Sequence, residues 1–396
     1  MQIGKQIYPF GEAPMRTVTY DAGSRIRVSQ LTTLGDYKTL SEDEALLLEN
    51  VGTGTGTWAD NKYAMSVTSG QYLIRQSKKC HPYFSGKSQQ VELTFIGFTG
   101  NVSLVVQNNG TDIFRIAQTE WNIDTLEGHD WSSFNVIIFD FLWLGGAILR
   151  TFVVTETGII LVDSRSVAGS VAGLIFKSPN QRIRYEIRSN GTTTSKRVGY
   201  FTSNTVAPYD SNKDGFWLES ISTSATGSMT YVCSQVSTEG SILESGKKRS
   251  VNTGSSAITL SSIGTTYPIK AIRLKSGFYD KYVKLSSVSG FVSSADTLLL
   301  SVQLNPTLSA GLTYSSVANS AVEQANGNGT ITVTAEGTVL FSQIVVQGTT
   351  FNEQFALDFL SVLGTTIANV SDQLVLCGTP ITTNVSAFGI IDFKEF

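Results

Sequence analysis

The stretch Gln181-Arg182-Ile183-Arg184-Tyr185-Glu186-Ile187-Arg188 is the clearest of three that indicate the fold of this chain. Residues 91–98 and 135–145 follow the same pattern. Each stretch is short, rich in β-branched and aromatic residues, and bounded by Gly, Pro, Asn or Ser, which is typical of β-strands. Antiparallel sheets made of such strands bury one face and leave the other in water. The sequence therefore predicts an all-β protein.

Strand-like runs follow one another at short spacing along most of the chain, with polar turns between them. Asn108-Asn109-Gly110, for example, predicts a tight hairpin between residues 103–107 and 111–115. Many short strands with such turns are typical of antiparallel β-sandwiches rather than of α/β folds. The expected class is thus a pair of tandem antiparallel β-sandwiches with a small N-terminal segment.

Three parts of the chain are predicted on this basis. Residues 1–57 form an N-terminal attachment segment that ends in a Gly-Thr linker, residues 58–240 form the first β-sandwich, and residues 241–396 form the second. The second boundary depends on the charged, Gly-containing stretch at 241–250, which fits an exposed hairpin tip equally well. The Gly-Thr run is not a phosphate loop, because no Lys-Ser or Lys-Thr follows it.

Two stretches have helical features. In residues 40–50, Ser41 is placed to cap a helix and Glu44 to complete a capping box. In residues 351–363, apolar side chains at 351, 355, 359 and 363 fit one face of a helix, and β-branched residues are almost absent. A short helix is expected in each place, although each run is short enough to be extended.

Composition excludes several classes of function. Charged residues make up 15% of the 396 residues, well below the roughly 25% of ordinary soluble domains, and the net charge is −3. This balance favours neither nucleic acid nor an anionic membrane as a partner. The start of the chain has no apolar signal region, and no run reaches the roughly 18 apolar residues of a membrane helix. Synthesis in a cytoplasm without membrane insertion is expected.

Cysteine and histidine are scarce. Cys80, Cys233 and Cys377 lie far apart in the sequence and are odd in number, so buried free thiols are expected rather than disulfides. With His81 and His129 as the two histidines, a histidine-rich metal site is excluded. We expect no metal and no cofactor.

No catalytic motif stands out. A glycosidase would need two carboxylates about 5–10 Å apart, and Glu120, Asp124, Glu127 and Asp130 are close in sequence. This stretch reads better as a polar loop held in the core by Trp121 and Trp131. A serine nucleophile would need His81 or His129 as its base, and no Gly-x-Ser-x-Gly elbow is present. We expect no enzyme activity.

The stretch Asp210-Ser211-Asn212-Lys213-Asp214-Gly215 places oxygen ligands at alternate positions, as half of a calcium loop does. An EF-hand loop needs a Glu at its twelfth position, and that position is Ile221 here. A β-turn is the expected structure, with a bound Ca²⁺ or Na⁺ as the alternative.

Several segments of the sequence resemble a group of structural proteins of tailed bacteriophages, described as virion, fibre or capsid-associated proteins. The resemblance covers most of residues 20–240 and, more weakly, the C-terminal half. The resemblance lies in residues 24–34 (SRIRVSQLTTL), 71–77 (QYLIRQS), 82–89 (PYFSGKSQ), 139–145 (FDFLWLG), 178–188 (SPNQRIRYEIR) and 214–219 (DGFWLE).

The resemblance implies a virion component with a lectin-like jelly-roll sandwich and no catalytic residues. Such a protein docks on other proteins of the capsid or tail, as a homotrimer or in symmetric copies. The alternative is a receptor-binding fibre protein that recognises a host-surface glycan. Trp217, beside a turn, is the candidate for stacking on a sugar, whereas Trp143 lies in an apolar run and is expected in the core.

Two further features favour self-association. The N-terminal segment looks too small to bury a core of its own. The C-terminal strand, ending at Phe396, is expected to leave an apolar sheet edge, and such edges call for a covering neighbour.

Overall fold

A computed structural model shows an all-β protein built of antiparallel sheets. It divides into two compact units, Met1–Leu243 (unit 1) and Glu244–Phe396 (unit 2), which are described separately. The structure describes residues 7–8, 19–20, 26–27, 31–39, 43, 45, 47–84, 86–108, 110–142, 148–166, 180–202, 214–239, 246–279, 281–292, 297–346, 348, 350–354, 363–382 and 384–395.

Unit 1 contains nineteen strands among its described residues. In chain order they are β1 (Ile7–Tyr8), β2 (Thr19–Tyr20), β3 (Ile26–Arg27), β4 (Leu31–Lys38), β5 (Leu48–Gly52), β6 (Thr55–Ala59), β7 (Lys62–Val67), β8 (Tyr72–Ser77), β9 (Gln89–Phe95), β10 (Asn101–Asn108), β11 (Thr111–Ala117), β12 (Asn135–Phe141), β13 (Ile148–Thr155), β14 (Gly158–Ser166), β15 (Arg182–Ser189), β16 (Thr194–Thr202), β17 (Asp214–Ser222), β18 (Gly227–Tyr231) and β19 (Cys233–Glu239). One turn of 3₁₀ helix, Gln118–Glu120, follows β11.

Two seven-stranded sheets form the sandwich of unit 1. Sheet I has the order β1-β14-β13-β12-β9-β19-β4, and sheet II has the order β11-β10-β17-β16-β15-β8-β5. A third sheet, β18-β7-β6, and the pair β2-β3 complete the unit. The predicted hairpin is present, with Asn108 opposite Thr111 in the pairing of β10 with β11.

The core of unit 1 lies between sheets I and II. Alternate residues of the strands point into it, as the pleat of a sheet requires. Sheet I contributes Val91, Leu93 and Phe95 from β9, and sheet II contributes Ile183, Tyr185 and Ile187 from β15. Burial of large apolar and aromatic side chains on this scale is the main stabilising contribution to such a fold.

Unit 2 is a second antiparallel sandwich. Its strands are β20 (Lys247–Asn252), β21 (Ile258–Leu260), β22 (Tyr267–Leu274), β23 (Val283–Val292), β24 (Leu298–Leu304), β25 (Thr307–Leu308), β26 (Ser315–Ser316), β27 (Val322–Asn326), β28 (Val333–Ala335), β29 (Thr338–Val345), β30 (Thr350–Gln354), β31 (Gln373–Pro380) and β32 (Val385–Glu395). One sheet has the order β20-β32-β23-β30 with β21 beside β32, the other has the order β26-β27-β22-β31-β24-β29, and β25 pairs with β28. Both larger sheets contribute to a single main core.

The prediction of a separate N-terminal segment is wrong for residues 48–57. β5, which ends with Gly52, pairs with β8, and β6, which begins with Thr55, pairs with β7, so four of the six residues of the Gly-Thr run at 52–57 lie in paired strands and the run is part of the folded unit, not a linker. Arg75 also holds this segment against the rest of the folded unit. Its buried guanidinium lies 3.7 Å from the centre of the Tyr63 ring, donates to Asn50 Oδ1 at 3.0 Å and forms an ion pair with Asp43 at 2.7 Å.

Both helix predictions fail where the structure describes the residues. Residues 48–50 belong to β5, and Ala45 and Leu47 lie in turns, because pairing with β8 outweighs the local capping pattern. Phe351 lies in β30 and is buried, since this strand pairs with β23. A 3.6-residue spacing over a short run fits both conformations, and tertiary pairing selects the strand. Residues 355–362 lie outside the described part.

The C-terminal stretch is a strand, as predicted, but it is not a sheet edge. β32 pairs along its length with β23 on one side, and with β20 and β21 on the other. The expected apolar edge at the C-terminus is therefore absent from residues 385–395, and this strand gives no reason to expect self-association.

Candidate functional site

The outer face of sheet II is the most unusual surface of unit 1. In β15, Ile183, Tyr185 and Ile187 point into the core, so Arg184 and Glu186 lie on the opposite face. A charged outer face is ordinarily wet, yet Arg184 and Glu186 are only 2% and 3% exposed. Charges are buried only when they are paired and hydrogen-bonded, so this face is held together by ion pairs.

Strand register places these charges in a row. Glu186 of β15 lies opposite Arg197 of β16, and Arg197 lies opposite Glu219 of β17. Opposite charges directly across neighbouring strands stabilise the pairing. The outer-face side chains Arg115, Arg184, Glu186, Arg188, Arg197 and Glu219 are here called the charged face.

Glu219 is the centre of one half of this face. Its Oε1 accepts hydrogen bonds from Arg197 Nε and from Ser195 Oγ, the latter at 2.7 Å, and its Oε2 accepts one from Arg115 Nη1. Arg115 also donates from Nε to Asp112 at 2.9 Å. Burial alone would raise the pKa of Glu219, but Arg197 and Arg115 outweigh it and hold the pKa below its ordinary value. Glu219 is therefore ionised and unsuited to act as a general acid.

Glu186 is the centre of the other half. Arg184 donates from Nε and Nη2 to Glu186 Oε2 at 3.0 and 2.5 Å, and Arg188 Nη2 donates to Oε1 at 2.8 Å. Burial lowers the pKa of Arg184, and the neighbouring Glu186 partly offsets this effect. Both buried glutamates are thus occupied by arginines, which disfavours a glycosidase carboxylate pair on this face.

Trp217 is not the sugar platform that the sequence suggested. Its side chain is 0% exposed, so neither face of the indole is open to a ligand. It is packed with Val105 and Phe201, and the guanidiniums of Arg197 and Arg184 lie 5.6 and 5.9 Å from its ring centre. The period of two that places Trp217 on the outer face also places it beneath these arginines. Trp217 therefore packs beneath the charged face and makes cation–π contacts with its arginines.

The other tryptophans that the structure describes pack against or hydrogen-bond to the protein itself. Trp121 and Trp131 are buried and meet edge to face, with ring centres 5.9 Å apart, so the prediction that they hold their loop in the core is confirmed. Trp58 is half-buried and donates from Nε1 to the carbonyl of Thr39 at 2.9 Å. Trp143 lies outside the described residues.

The carboxylates of the loop after β11 cap local turns. Asp124 accepts the Leu126 amide at 2.9 Å, and Glu120 accepts the Ala117 amide at 3.3 Å. Asp130 accepts the amide and hydroxyl of Ser132 at 2.9 and 2.6 Å, and the hydroxyls of Ser132 and Ser133 lower its pKa to about 2. Glu127 is exposed. Asp130, with its lowered pKa, is the opposite of the raised-pKa acid that glycoside hydrolysis needs.

Neither histidine is arranged as a catalytic base. His81 is buried, with Nε2 2.8 Å from the Tyr37 hydroxyl and Nδ1 2.9 Å from the carbonyl of Gln181. Burial is the main cause that lowers its pKa to about 3, so the ring is neutral at physiological pH. His129 Nε2 contacts Asn135 Oδ1 at 2.6 Å.

The cysteines are free thiols, with Cys80 and Cys377 buried and Cys233 half-buried. In the part of the chain that the structure describes, no cluster of three His, Cys, Asp or Glu side chains is placed to hold a metal ion. Residues 210–213, in the stretch with the predicted β-turn, lie outside that part. No described helix is long and apolar enough to cross a membrane.

The charged face was missed as a site at the level of sequence, although its signal is present. Arg182, Arg184, Glu186 and Arg188 alternate strictly with apolar residues, which assigns them to one face of one strand. The partners Arg115, Arg197 and Glu219 come from three other strands, so only the sheet order brings them to Glu186.

Comparisons with known proteins leave the family open. No protein-family model matches the chain, and no curated protein matches it. Among solved structures, the Emp46p carbohydrate recognition domain is similar at 13% identity and TM-score 0.20, covering 54% of this chain and 100% of its own. A Bauhinia forficata lectin in complex with GalNAc is similar at 7% identity and TM-score 0.20, covering 53% of this chain and 99% of its own. A prokaryotic β-1,3-1,4-glucanase from a mouse hindgut metagenome is similar at 11% identity and TM-score 0.19, covering 53% of this chain and 100% of its own. Values this low carry no inference about function.

Proposed function

We propose that the protein is a non-enzymatic binding component of a tailed-phage particle and that unit 1 recognises a host-surface glycan through the charged face. One observation carries the proposal: Glu219, itself buried, holds the partly exposed guanidiniums of Arg197 and Arg115 in fixed positions, and that of Arg197 lies 5.6 Å from the ring centre of the buried Trp217. The phage setting rests on the sequence resemblance.

Such an arrangement suits a saccharide for a physical reason. Sugar hydroxyls both donate and accept hydrogen bonds, and guanidinium groups present several donors in a rigid plane. Side chains that are already ordered by ion pairs lose little further freedom on binding. Weak individual sites repeated on one particle would gain strength by multivalency.

The test is a glycan array probed with the whole protein, with Arg197→Ala as the variant. The matched control is Arg273→Ala in unit 2, since Arg273 also pairs with a glutamate, Glu323, and lies 3.9 Å from the centre of an aromatic ring. We expect binding by the native protein and the control, and loss of binding in Arg197→Ala. Equal binding by the variant and the native protein would remove the charged face from consideration. A depolymerase assay on the same glycans should detect no cleavage.

A second function, docking on other virion proteins or in symmetric copies, is favoured by a separate observation in unit 2. β29 ends its sheet in the described part of the chain, and it carries no charged residue. Val339 and Ile344 are 44% and 60% exposed, and Leu299, opposite Ile344 in the neighbouring strand, is 38% exposed. Uncharged apolar edge strands tend to pair with another chain.

Light scattering tests this docking function. If β29 mediates self-association, the native protein forms oligomers, a trimer being the form that the fibre resemblance implies, and Ile344→Lys shifts it towards monomer. The matched control is Ile263→Lys, because Ile263 is exposed to a similar degree, 58%, and lies outside the strands. A native monomer at tens of micromolar would leave only docking on the assembled particle.

A further inference from the structure

Three polar side chains are buried at one end of the core between sheets I and II. Gln89 lies two residues before Val91 in β9, so it shares the core-facing side of that strand. Gln181 stands in the same relation to Ile183 of β15. The third side chain is Tyr200 of β16, which belongs to this core. All three are 0% exposed, and they are here called the polar end of the core.

Contacts with two neighbouring rings bring these side chains to one place. The Gln181 carbonyl accepts the amide N–H of His81 at 2.7 Å, and the ring centres of His81 and Tyr200 lie 5.5 Å apart. Gln89 lies opposite Phe141 where β9 pairs with β12, and the ring centres of Phe141 and Tyr200 are 5.7 Å apart. Burial raises the pKa of Tyr200, and the side-chain amide of Gln89 opposes this rise, so these two groups are close neighbours.

Several polar atoms at the polar end have no hydrogen-bond partner. Within the described residues, neither Oε1 nor Nε2 of Gln181 takes part in a hydrogen bond, and the same is true of Gln89 Oε1 and the Tyr200 hydroxyl. Gln89 Nε2 donates to the carbonyl of Pro82 at 2.9 Å, which fixes the orientation of that amide. Buried polar groups in folded proteins are nearly always bonded, either to protein or to ordered water. Four unpaired atoms in one place therefore point to a shared partner.

We propose that the polar end of the core is a binding site for buried water, which bridges Gln181 to Gln89 and Tyr200. The four atoms include both donors and acceptors, and the groups that carry them are uncharged. Such a set suits a small neutral guest that donates and accepts at once, and a buried water commonly makes about three hydrogen bonds of this kind. Because Gln89 lies in sheet I and Tyr200 in sheet II, the water joins the two sheets. The glycan-binding proposal does not depend on it.

A crystal structure of the whole protein, at a resolution that shows ordered water, tests this site directly. We expect density for a water within about 2.7–3.2 Å of the Gln181 amide and of Gln89 Oε1 or the Tyr200 hydroxyl. A direct hydrogen bond from Gln181 to either of the other side chains, with no water between them, would overturn the proposal. Absence of density beside the Gln181 amide would overturn it as well.

Magnetic relaxation dispersion of the water signal gives a second test in solution, because it counts the long-lived buried waters. Gln181→Met keeps the length of the side chain and removes its amide, so this count should fall. The matched control is Gln303→Met in unit 2, since Gln303 is 1% exposed but bonded to protein at both ends of its amide. Its Nε2 donates to Ser301 Oγ at 3.0 Å, and its Oε1 accepts the Gly337 amide at 3.3 Å. The control should therefore leave the count unchanged.

Tryptophan fluorescence shows whether each variant is folded. An unchanged count of buried waters in folded Gln181→Met would refute the site, and an equal fall in the control would show that the loss is not specific to it. If Gln181→Met does not fold, the crystal structure of the native protein decides.

Discussion

The buried His81 makes the stability of unit 1 depend on pH in a way that can be measured. In the folded state burial lowers its pKa to about 3, against an ordinary value of 6.5 in the unfolded chain. The hydrogen bond to the carbonyl of Gln181 opposes this shift, and the nearby charges of Arg182 and Lys79 add to it. Protonation of the folded state would place a third positive charge among these groups.

The aromatic groups around the ring supply no compensating negative charge. The hydroxyl of Tyr37 contacts Nε2, the Tyr200 ring centre lies 5.5 Å from that of His81, and burial keeps the pKa of Tyr200 well above its ordinary value. Cys80, the preceding residue, accepts a hydrogen bond from Arg182 Nε at 3.2 Å. None of these three neighbours is a carboxylate that would stabilise a protonated imidazole.

The sign and size of the effect follow from linkage. Between pH 6.5 and pH 3 the unfolded chain holds one more proton at His81 than the folded protein, so stability is complete above pH 6.5 and falls as the pH is lowered. Each pH unit below 6.5 lowers the free energy of unfolding by about 1.4 kcal/mol for one proton. From pH 7 to pH 5 the loss at this single residue is about 2 kcal/mol.

Urea unfolding followed by tryptophan fluorescence is the appropriate assay, because all five tryptophans lie in residues 1–243 and report on unit 1 alone. We expect the free energy of unfolding to fall between pH 7 and pH 5 in the native protein and to fall by about 2 kcal/mol less in His81→Gln. The readout is the dependence on pH, since the variant also alters the contact with Tyr37. His129→Gln measures the contribution of the second histidine. Equal pH dependence in His81→Gln and the native protein would refute the reasoning.

Two further predictions concern other buried groups. Trp217→Ala should lower the free energy of unfolding of unit 1 by about 3–5 kcal/mol in the same urea assay, because it empties a fully buried site; unchanged stability with lost glycan binding would instead restore Trp217 as a ligand platform. In unit 2, Lys270 is buried and donates to Asn252 O, Gln324 Oε1 and Asn326 Oδ1 at 2.6–2.7 Å, and burial lowers its pKa to about 8 from 10.5. Stability should therefore rise by about 2–3 kcal/mol as the pH increases from 8 to 10.5, as seen by circular dichroism, and a Lys270→Met variant that showed the same rise would contradict this assignment.

Much of the fold can be read from local pattern. Strand β15 alternates apolar and charged residues, and β12 falls within the stretch 135–145 that the sequence marks as a strand. The hairpin at Asn108 follows from its turn residues. These features depend on neighbours within a few residues, so a single sequence is enough to recognise them.

The failures share one cause. Residues 48–50 and Phe351 have local signals that suit a helix, yet they pair with strands more than twenty residues away in the chain. Trp217 lies near a turn in sequence, but its neighbours Val105 and Phe201 come from other strands of the sheet. A segment's own sequence does not show which distant residues will pair with it or bury it.

By itself, the sequence determined the all-β class and the face of β15 on which each side chain lies, because these follow from the two-residue repeat of a strand. Only the tertiary structure decided what each face does. It brought Arg197 opposite both Glu186 and Glu219, although the three residues belong to different strands. It also buried Arg184 and Glu186, which the alternation alone would leave in water, and placed β32 inside its sheet rather than at the edge. Strand order is set by contacts between segments far apart in the chain, which is why the site, unlike the strands that carry it, emerged only with the fold.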